Sequence, residues 1–258
     1  MKKGMWWDRT WNPVSGCSPI SEGCEHCWAK RMSKRLAGRF GYPADNPFAV
    51  TLHPDKLDDP LHWRKPQRIF VCSMSDLFHE DVPTTFLDDI FARMWVLKHH
   101  QFIVLTKRPQ DMQDYCTSLA EKLPVKHSGM FLSPFAPYWP FPNVTLMVTA
   151  ENQRRADERI PVLLQTPAAV RGVSLEPLLS PIGLARLFPS AHGMRNDRFQ
   201  ILCGAETGPR ARPMQLDWAR RVRDDCVEAG IPFWFKADSQ GNHQLDGQVW
   251  EQLPEIPT

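Results

Sequence analysis

Several things are scarce in this 258-residue chain, and each scarcity removes a class of protein. The formal net charge is only +2, so overall basicity does not announce nucleic-acid binding, and any such surface must come from local clustering. No stretch approaches the roughly 18 unbroken apolar residues of a membrane span. The opening Met1-Lys2-Lys3-Gly4-Met5-Trp6-Trp7 has two lysines but lacks the apolar run of a secretory signal. Solenoid-type repeats and low-complexity tracts are absent as well. The cysteines number seven, an odd count for a disulfide framework, and three of them crowd into eleven positions. That distribution points to a reducing cytoplasm and a metal role.

What is present is ordinary globular composition, with 42% hydrophobic and 23% charged residues, enough for one large α/β domain over 1–258. From residue 68 onward short apolar runs recur: Ile69-Phe70-Val71-Cys72, Phe102-Ile103-Val104-Leu105, Val144-Thr145-Leu146-Met147-Val148, Val170-Arg171-Gly172-Val173, Phe199-Gln200-Ile201-Leu202-Cys203 and Pro232-Phe233-Trp234-Phe235. Runs this short and this apolar suit parallel strands buried on both faces. Helical spacing separates them. Phe86, Ile90, Phe91, Met94 and Leu97 share a face behind an expected cap at Thr85; Pro109 opens a second helix; Gly230 ends a third. An early strand around Trp11-Asn12-Pro13-Val14 brings the count to six or seven, which predicts a partial or nearly closed (β/α) barrel. A Pro- and aromatic-rich insertion at 124–142 and a C-terminal extension at 239–258, with a hairpin around Asp246-Gly247, complete the plan.

Polar residues follow each strand: Ser73, Ser75 and Asp76; Thr106, Lys107 and Arg108; Glu151 and Asn152; Ser174 and Glu176; Glu206 and Thr207; Lys236 and Asp238. In a parallel barrel these positions gather at the C-terminal rim, where active sites of this architecture sit.

The sharpest signal precedes them. In Gly16-Cys17-Ser18-Pro19-Ile20-Ser21-Glu22-Gly23-Cys24-Glu25-His26-Cys27, six residues separate the first two cysteines and two separate the last pair. Two thiolates at the shorter spacing can share a metal centre from one tight turn, and glycines precede two of the three cysteines. Three free or buried cysteines are one reading. A structural zinc is another, but it needs a fourth ligand: His26 would strain to join its neighbours, Cys72 falls in a strand, and His53 or His62 belongs to other elements. A [4Fe–4S] cluster on Cys17, Cys24 and Cys27 leaves one iron open, which is what S-adenosylmethionine chemistry requires.

The motifs Trp11-Asn12-Pro13, Gly16-Cys17, Gly23-Cys24 and Cys27, with Ser73-Met74-Ser75-Asp76-Leu77-Phe78-His79, Leu105-Thr106-Lys107-Arg108-Pro109, Glu151-Asn152-Gln153 with Ala156-Asp157-Glu158-Arg159-Ile160-Pro161, Leu175-Glu176-Pro177-Leu178-Leu179, Gly204-Ala205-Glu206, Ala211-Arg212-Pro213-Met214 and Phe235-Lys236, resemble the phage-associated radical-SAM-like family with a three-cysteine motif. The resemblance implies a [4Fe–4S] cluster, S-adenosylmethionine, a flavodoxin- or ferredoxin-type reductant, and residence in the cytoplasm, that of the bacterial host where the chain is phage-encoded. It also implies a nucleotide or DNA substrate. Against the wider superfamily, the first cysteine gap is six rather than three, and Ser73-Met74-Ser75-Asp76 stands where Gly-Gly-Glu is usual.

Within this reading Ser73, Ser75 and Asp76 would accept the cofactor's amino group, and Lys107 or Arg108 would meet its carboxylate. Glu151 and Asn152 would meet ribose, while Ser174, Glu176, Gly204 and Glu206 would face adenine, ribose or substrate. An internal salt bridge, Glu176 with Lys236 for example, is the plain alternative for each. Cys72, Cys203 and Cys226 read as small buried hydrophobes. Two basic groups, Lys30, Arg31, Lys34, Arg35 and Arg39 on a helix with Ala29, Met32, Leu36 and Phe40 opposite, and Arg210, Arg212, Arg220, Arg221 and Arg223, are either solvated faces or phosphate-binding patches. Two further functions stay open: a non-catalytic metal-binding module that recognises nucleic acid or a partner protein, and a radical enzyme acting on a peptide or a separately encoded protein.

Overall fold

The computed structural model describes residues 5–121, 139–184 and 196–257. Its strands are β1 (Arg9–Trp11), β2 (Val14–Ser15), β3 (Thr51–Leu52), β4 (Arg68–Val71), β5 (Gln101–Thr106), β6 (Val144–Thr149), β7 (Val170–Leu175), β8 (Phe199–Gly204) and β9 (Phe233–Ala237). The helices are α1 (Trp28–Leu36), α2 (Thr84–Val96), α3 (Pro109–Glu121), α4 (Gln153–Gln165) and α5 (Leu216–Ala229). Seven strands pair in parallel in the order β1-β4-β5-β6-β7-β8-β9, while β2 and β3 form a small antiparallel pair. The sheet is the expected partial (β/α) barrel, with helices returning the chain between most neighbouring strands.

Strand parity divides the interior into two apolar layers. Ile69, Val71, Phe102, Val104, Leu146, Val148, Ile201 and Phe233 face outward onto Ile90, Met94, Met112, Ile160, Leu163, Val222 and Cys226 of the helices. Ile103, Met147, Leu202 and Trp234 face the concave side, where Trp6, with Trp7 and Phe70 against it, fills the interior. Trp6 lies before β1 in the chain, so it enters from the N-terminal end of the barrel. The layer is tight: a Cβ on Gly172 would come within 2.7 Å of Met147 Cε.

The boundaries differ from expectation for local reasons. The first strand stops at Trp11 because Pro13, lacking an amide hydrogen, cannot continue the ladder; its carbonyl instead accepts from His53 N–H at 2.7 Å. Cys72 leaves β4 with φ 55°, turning the chain away rather than extending the strand. The α2 cap is Pro83, not Thr85, and its carbonyl takes the Phe86 and Leu87 amides at 2.9 and 3.1 Å. α1 ends at Leu36, so Phe40 is 73% exposed rather than part of an apolar face. The 124–142 insertion lies outside the described residues as far as 138. The C-terminal extension doubles back through a tight turn in which Asp246 and Gly247 have φ 55° and 76°, and Leu245 and Gln248 bond reciprocally at 2.9 and 3.1 Å. It then lays Glu251 antiparallel beside Trp234, covering the β9 edge.

Buried Asn143, just before β6, donates its side-chain amide to the carbonyls of Met94 at 2.9 Å and His100 at 3.2 Å, tying the end of α2 to the sheet. Asn143→Ala leaves these acceptors without a donor. We expect a loss of about 1–3 kcal/mol, read as a lower urea midpoint at unchanged slope.

Candidate functional site

The cysteine loop crosses the C-terminal mouth of the barrel and is held from both sides. On the near side, Asn12 Oδ1 accepts from Ser73 Oγ and from Met74 N–H, each at 3.1 Å. Gly16 donates its amide to Met74 O at 2.9 Å, and Ser75 Oγ donates to Gly16 O at 2.6 Å. Gly16 has φ 83°, and a Cβ there would stand 2.0 Å from Ala49 O, so only glycine passes at this point. Arg108 then reaches over the loop. Its Nη1 lies 3.5 Å from Cys17 Sγ and its Nη2 donates to Ser18 Oγ at 2.9 Å. Ser18 also meets His79 Nε2 at 2.7 Å; because His79 Nδ1 accepts the Asp81 amide at 3.1 Å, Nε2 carries the proton.

Asp76 supports this side from beneath. Its Oδ1 accepts from Thr106 Oγ1 at 2.6 Å and from the Phe78 amide at 3.1 Å, while Oδ2 accepts the Lys107 amide at 2.9 Å and lies 3.4 Å from Arg108 Nη1. These bonds occupy both oxygens and join the ends of β4 and β5.

On the far side, wholly buried Glu151 accepts the Gly23 amide at 3.2 Å and Arg159 Nη1 at 3.0 Å. A Cβ on Gly23 would sit 3.0 Å from the Glu151 carboxyl carbon. Asn152 caps α4, accepting the Arg155 amide at 2.9 Å, and donates to the Glu22 carboxylate, which Arg155 Nη2 also meets at 2.9 Å. Glu206 accepts from His26 Nδ1 at 2.9 Å and from Arg212 N and Nε at 2.8 and 3.0 Å. Arg212 extends the clamp to Glu25 Oε2 at 2.8 Å and to Glu22 O at 3.0 Å.

Cys17, Cys24 and Cys27 are all half-buried on this suspended loop, whereas the other four cysteines are buried. Burial pushes the Cys17 thiol up, the Asp76 charge adds to this, and Arg108 opposes both. Burial raises Cys72 to about 12 and pushes Cys116, Cys203 and Cys226 up as well, so those four are inert packing. Among the described residues, no three of the His, Cys, Asp and Glu side chains gather closely enough to hold one metal ion. A tetrahedral ion draws its ligands to a point, while a cubane cluster takes its thiolates at separate corners. Three thiols on one rim loop, with a guanidinium N–H against one sulfur, fit the latter demand.

The remaining expected residues line the concave side. Ser174 shares that face of β7 with Gly172. Glu176 pairs with Lys236 across Gly204, where a Cβ would come 3.1 Å from Glu176 and 3.3 Å from Lys236. Lys107 stands at the end of β5, and its ammonium has no acceptor among the described residues. Beside the loop an open cleft of about 520 Å³ is lined by Glu22, Asn152, Gln153, Leu179, Ser180 and Arg212. In the second basic group Arg212, Arg220 and Arg223 are neutralised by Glu206, Asp217, Asp246 and Asp224. Sequence reading gave no role to Glu22, His79 or Arg159; His79 and Arg159 both stood in quoted motifs, and Arg159 lies about two helical turns past Glu151, within reach of it.

Burial pushes the Glu206 carboxyl up, but the Arg212 and His26 hydrogen bonds outweigh it and hold the group at about 2, below its ordinary 4.5. A depressed acid stabilises the fold above its unfolded value and loses that contribution as pH falls toward the folded one; here the contribution is on the order of 3 kcal/mol. In urea titrations the gap between wild type and Glu206→Gln is therefore widest at neutral pH and shrinks between about 4.5 and 2. A gap that stays constant with pH would refute the clamp.

No curated protein matches the sequence. Among solved structures, one variant of spore photoproduct lyase aligns with a TM-score of 0.55 at 10% identity, over 88% of this chain and 75% of that one. Another variant gives 0.50 at 10% identity, over 85% and 61%. The chain thus spans about three fifths of the length of the second neighbour (61%), and at such identities the likeness is one of fold. The family model described as a protein of unknown function (DUF5131) matches residues 2–254, and the chain belongs to that family.

Proposed function

We propose that the chain is a radical S-adenosylmethionine enzyme whose Cys17, Cys24 and Cys27 hold a [4Fe–4S] cluster. The observation that carries this reading is the suspension of three thiols over the C-terminal mouth of a partial barrel by Ser75, Arg108, Glu151 and Arg212. When bound, such a cluster and its cofactor supply one-electron cleavage of a sulfonium and a 5′-deoxyadenosyl radical.

The chain's own residues do the rest. Arg108 places an N–H on the Cys17 sulfur and stiffens the loop beside it. Glu151 and the Glu206–Arg212 clamp fix the Gly23–Cys24 turn, so that the second and third thiols keep their spacing. Lys107, at the β5 end with no acceptor among the described residues, would meet the cofactor's carboxylate; Ser73 and Ser75 retain lone pairs that would accept its amino group, and Asp76 holds these positions in place. Ser174, Gly204 and the Glu176–Lys236 pair line the concave side and would hold the adenosine part of the cofactor. The substrate is a nucleobase-linked group in DNA or a nucleotide, phage DNA included, rearranged or functionalised at an inert C–H bond. The electron donor is of flavodoxin or ferredoxin type, and the setting is the cytoplasm.

Anaerobic purification tests this. A brown protein with about four irons and matching sulfide, cleaving S-adenosylmethionine on reduction, is expected. Cys24→Ala should lose colour and cleavage together. A colourless wild type carrying one zinc, or unchanged iron in that variant, would overturn the assignment.

A further inference from the structure

α1 begins immediately after Cys27 and carries a dense run of cations. Lys30, Lys34 and Arg35 on the helix and Arg39 beyond it are exposed and form no ion pair among the described residues. Arg93, Arg154, Arg155, Arg220 and Arg223 are matched to carboxylates, while Arg9, Arg64, Arg210 and Arg221 are exposed singly or in pairs with no ion pair among the described residues, so what sets α1 apart is the density of its cations. No Asp or Glu occurs between 28 and 40. Only Lys34 and Arg35, in the last turn, are favoured by the helix dipole; the rest of the arrangement opposes the helix. Lys30 and Lys34, like Arg31 and Arg35, are like charges one turn apart, and each such pair is unfavourable. Lys30 and Arg31 also lie in the first turn, where the helix dipole repels cations.

Aromatic side chains flank the charges. Trp28 is 46% exposed at the first position of α1, and Phe40 is 73% exposed beyond its end. Arg31 reaches from the helix to the loop after β8, where a Cβ on Gly208 would meet its Nη1 at 2.1 Å, so the cationic surface continues to the rim. Unpaired cations with exposed rings at both ends match a phosphodiester chain whose bases have stacking faces free.

We propose that α1 is a docking surface for single-stranded nucleic acid. Lys30, Lys34, Arg35 and Arg39 meet phosphates, Trp28 and Phe40 stack bases, and Arg31 directs the strand to the cysteine loop. The inference deepens the function proposed above, whose substrate it delivers, but its test does not depend on turnover.

Binding of a labelled single-stranded DNA oligonucleotide to the full cluster-loaded chain is measured by anisotropy across a salt series. Four phosphate contacts predict a slope of log K against log salt of about −3. Lys30→Gln/Lys34→Gln/Arg35→Gln should reduce that slope by about 2 and weaken low-salt binding by about tenfold or more, with an unchanged thermal melt. Trp28→Ala should weaken binding and leave the slope alone. A wild type that does not bind, or a triple variant that binds like wild type, overturns the proposal. So does a triple variant with intact DNA binding that loses cleavage driven by an acidic flavoprotein while keeping dithionite-driven cleavage; the face would then belong to the electron donor. Intact DNA binding with no cleavage of S-adenosylmethionine supports the docking surface and refutes the enzyme.

Discussion

Glu151 is the contact through which the barrel governs the loop. A carboxylate taken wholly out of water is tolerated only when its charge is answered and its lone pairs are used. Arg159 answers the charge from α4, and the Gly23 amide takes the other oxygen. The end of β6, the first turns of α4 and the cysteine loop therefore settle together. Displacing any of the three would strand a buried ion, so the position of the loop follows from the electrostatics of the sheet end beneath it.

The same logic sorts the charged residues of the whole molecule. Where a guanidinium faces a carboxylate, as Arg212 does Glu206 or Arg155 does Glu22, it serves as a fastener and its field is spent locally. Where no carboxylate is near, as along α1, the field extends into solvent and is available to an external anion. Net charge conceals this division, because a near-neutral total comprises clamped guanidinium–carboxylate pairs at the rim and a run of α1 cations with no ion pair among the described residues.

Much of the architecture was legible before the structure. Parallel strands buried on both faces leave apolar runs that few other elements leave, and β4 to β9 fall where those runs stand. The three cysteines stood out by spacing alone. The division of the rim carboxylates between framework and ligand was not legible. Asp76, Glu151 and Glu206 look alike in sequence, and their engagement depends on Thr106, Arg159 and Arg212, which only the fold brings to them. The boundary at Cys72 was missed because this residue adopts the left-handed backbone that glycine usually signals, whereas α1 stops at Leu36 just before Gly38, a left-handed glycine that the sequence did display.

Trp6 and Trp7, packed into the concave layer against Phe70, Ile103 and Trp234, make the barrel a cup rather than a tunnel. The cysteine loop lies across the opposite end. With one end filled by indole rings, the two tryptophans set how deep anything held in the concavity can sit, although neither stands near the cysteines that edge it.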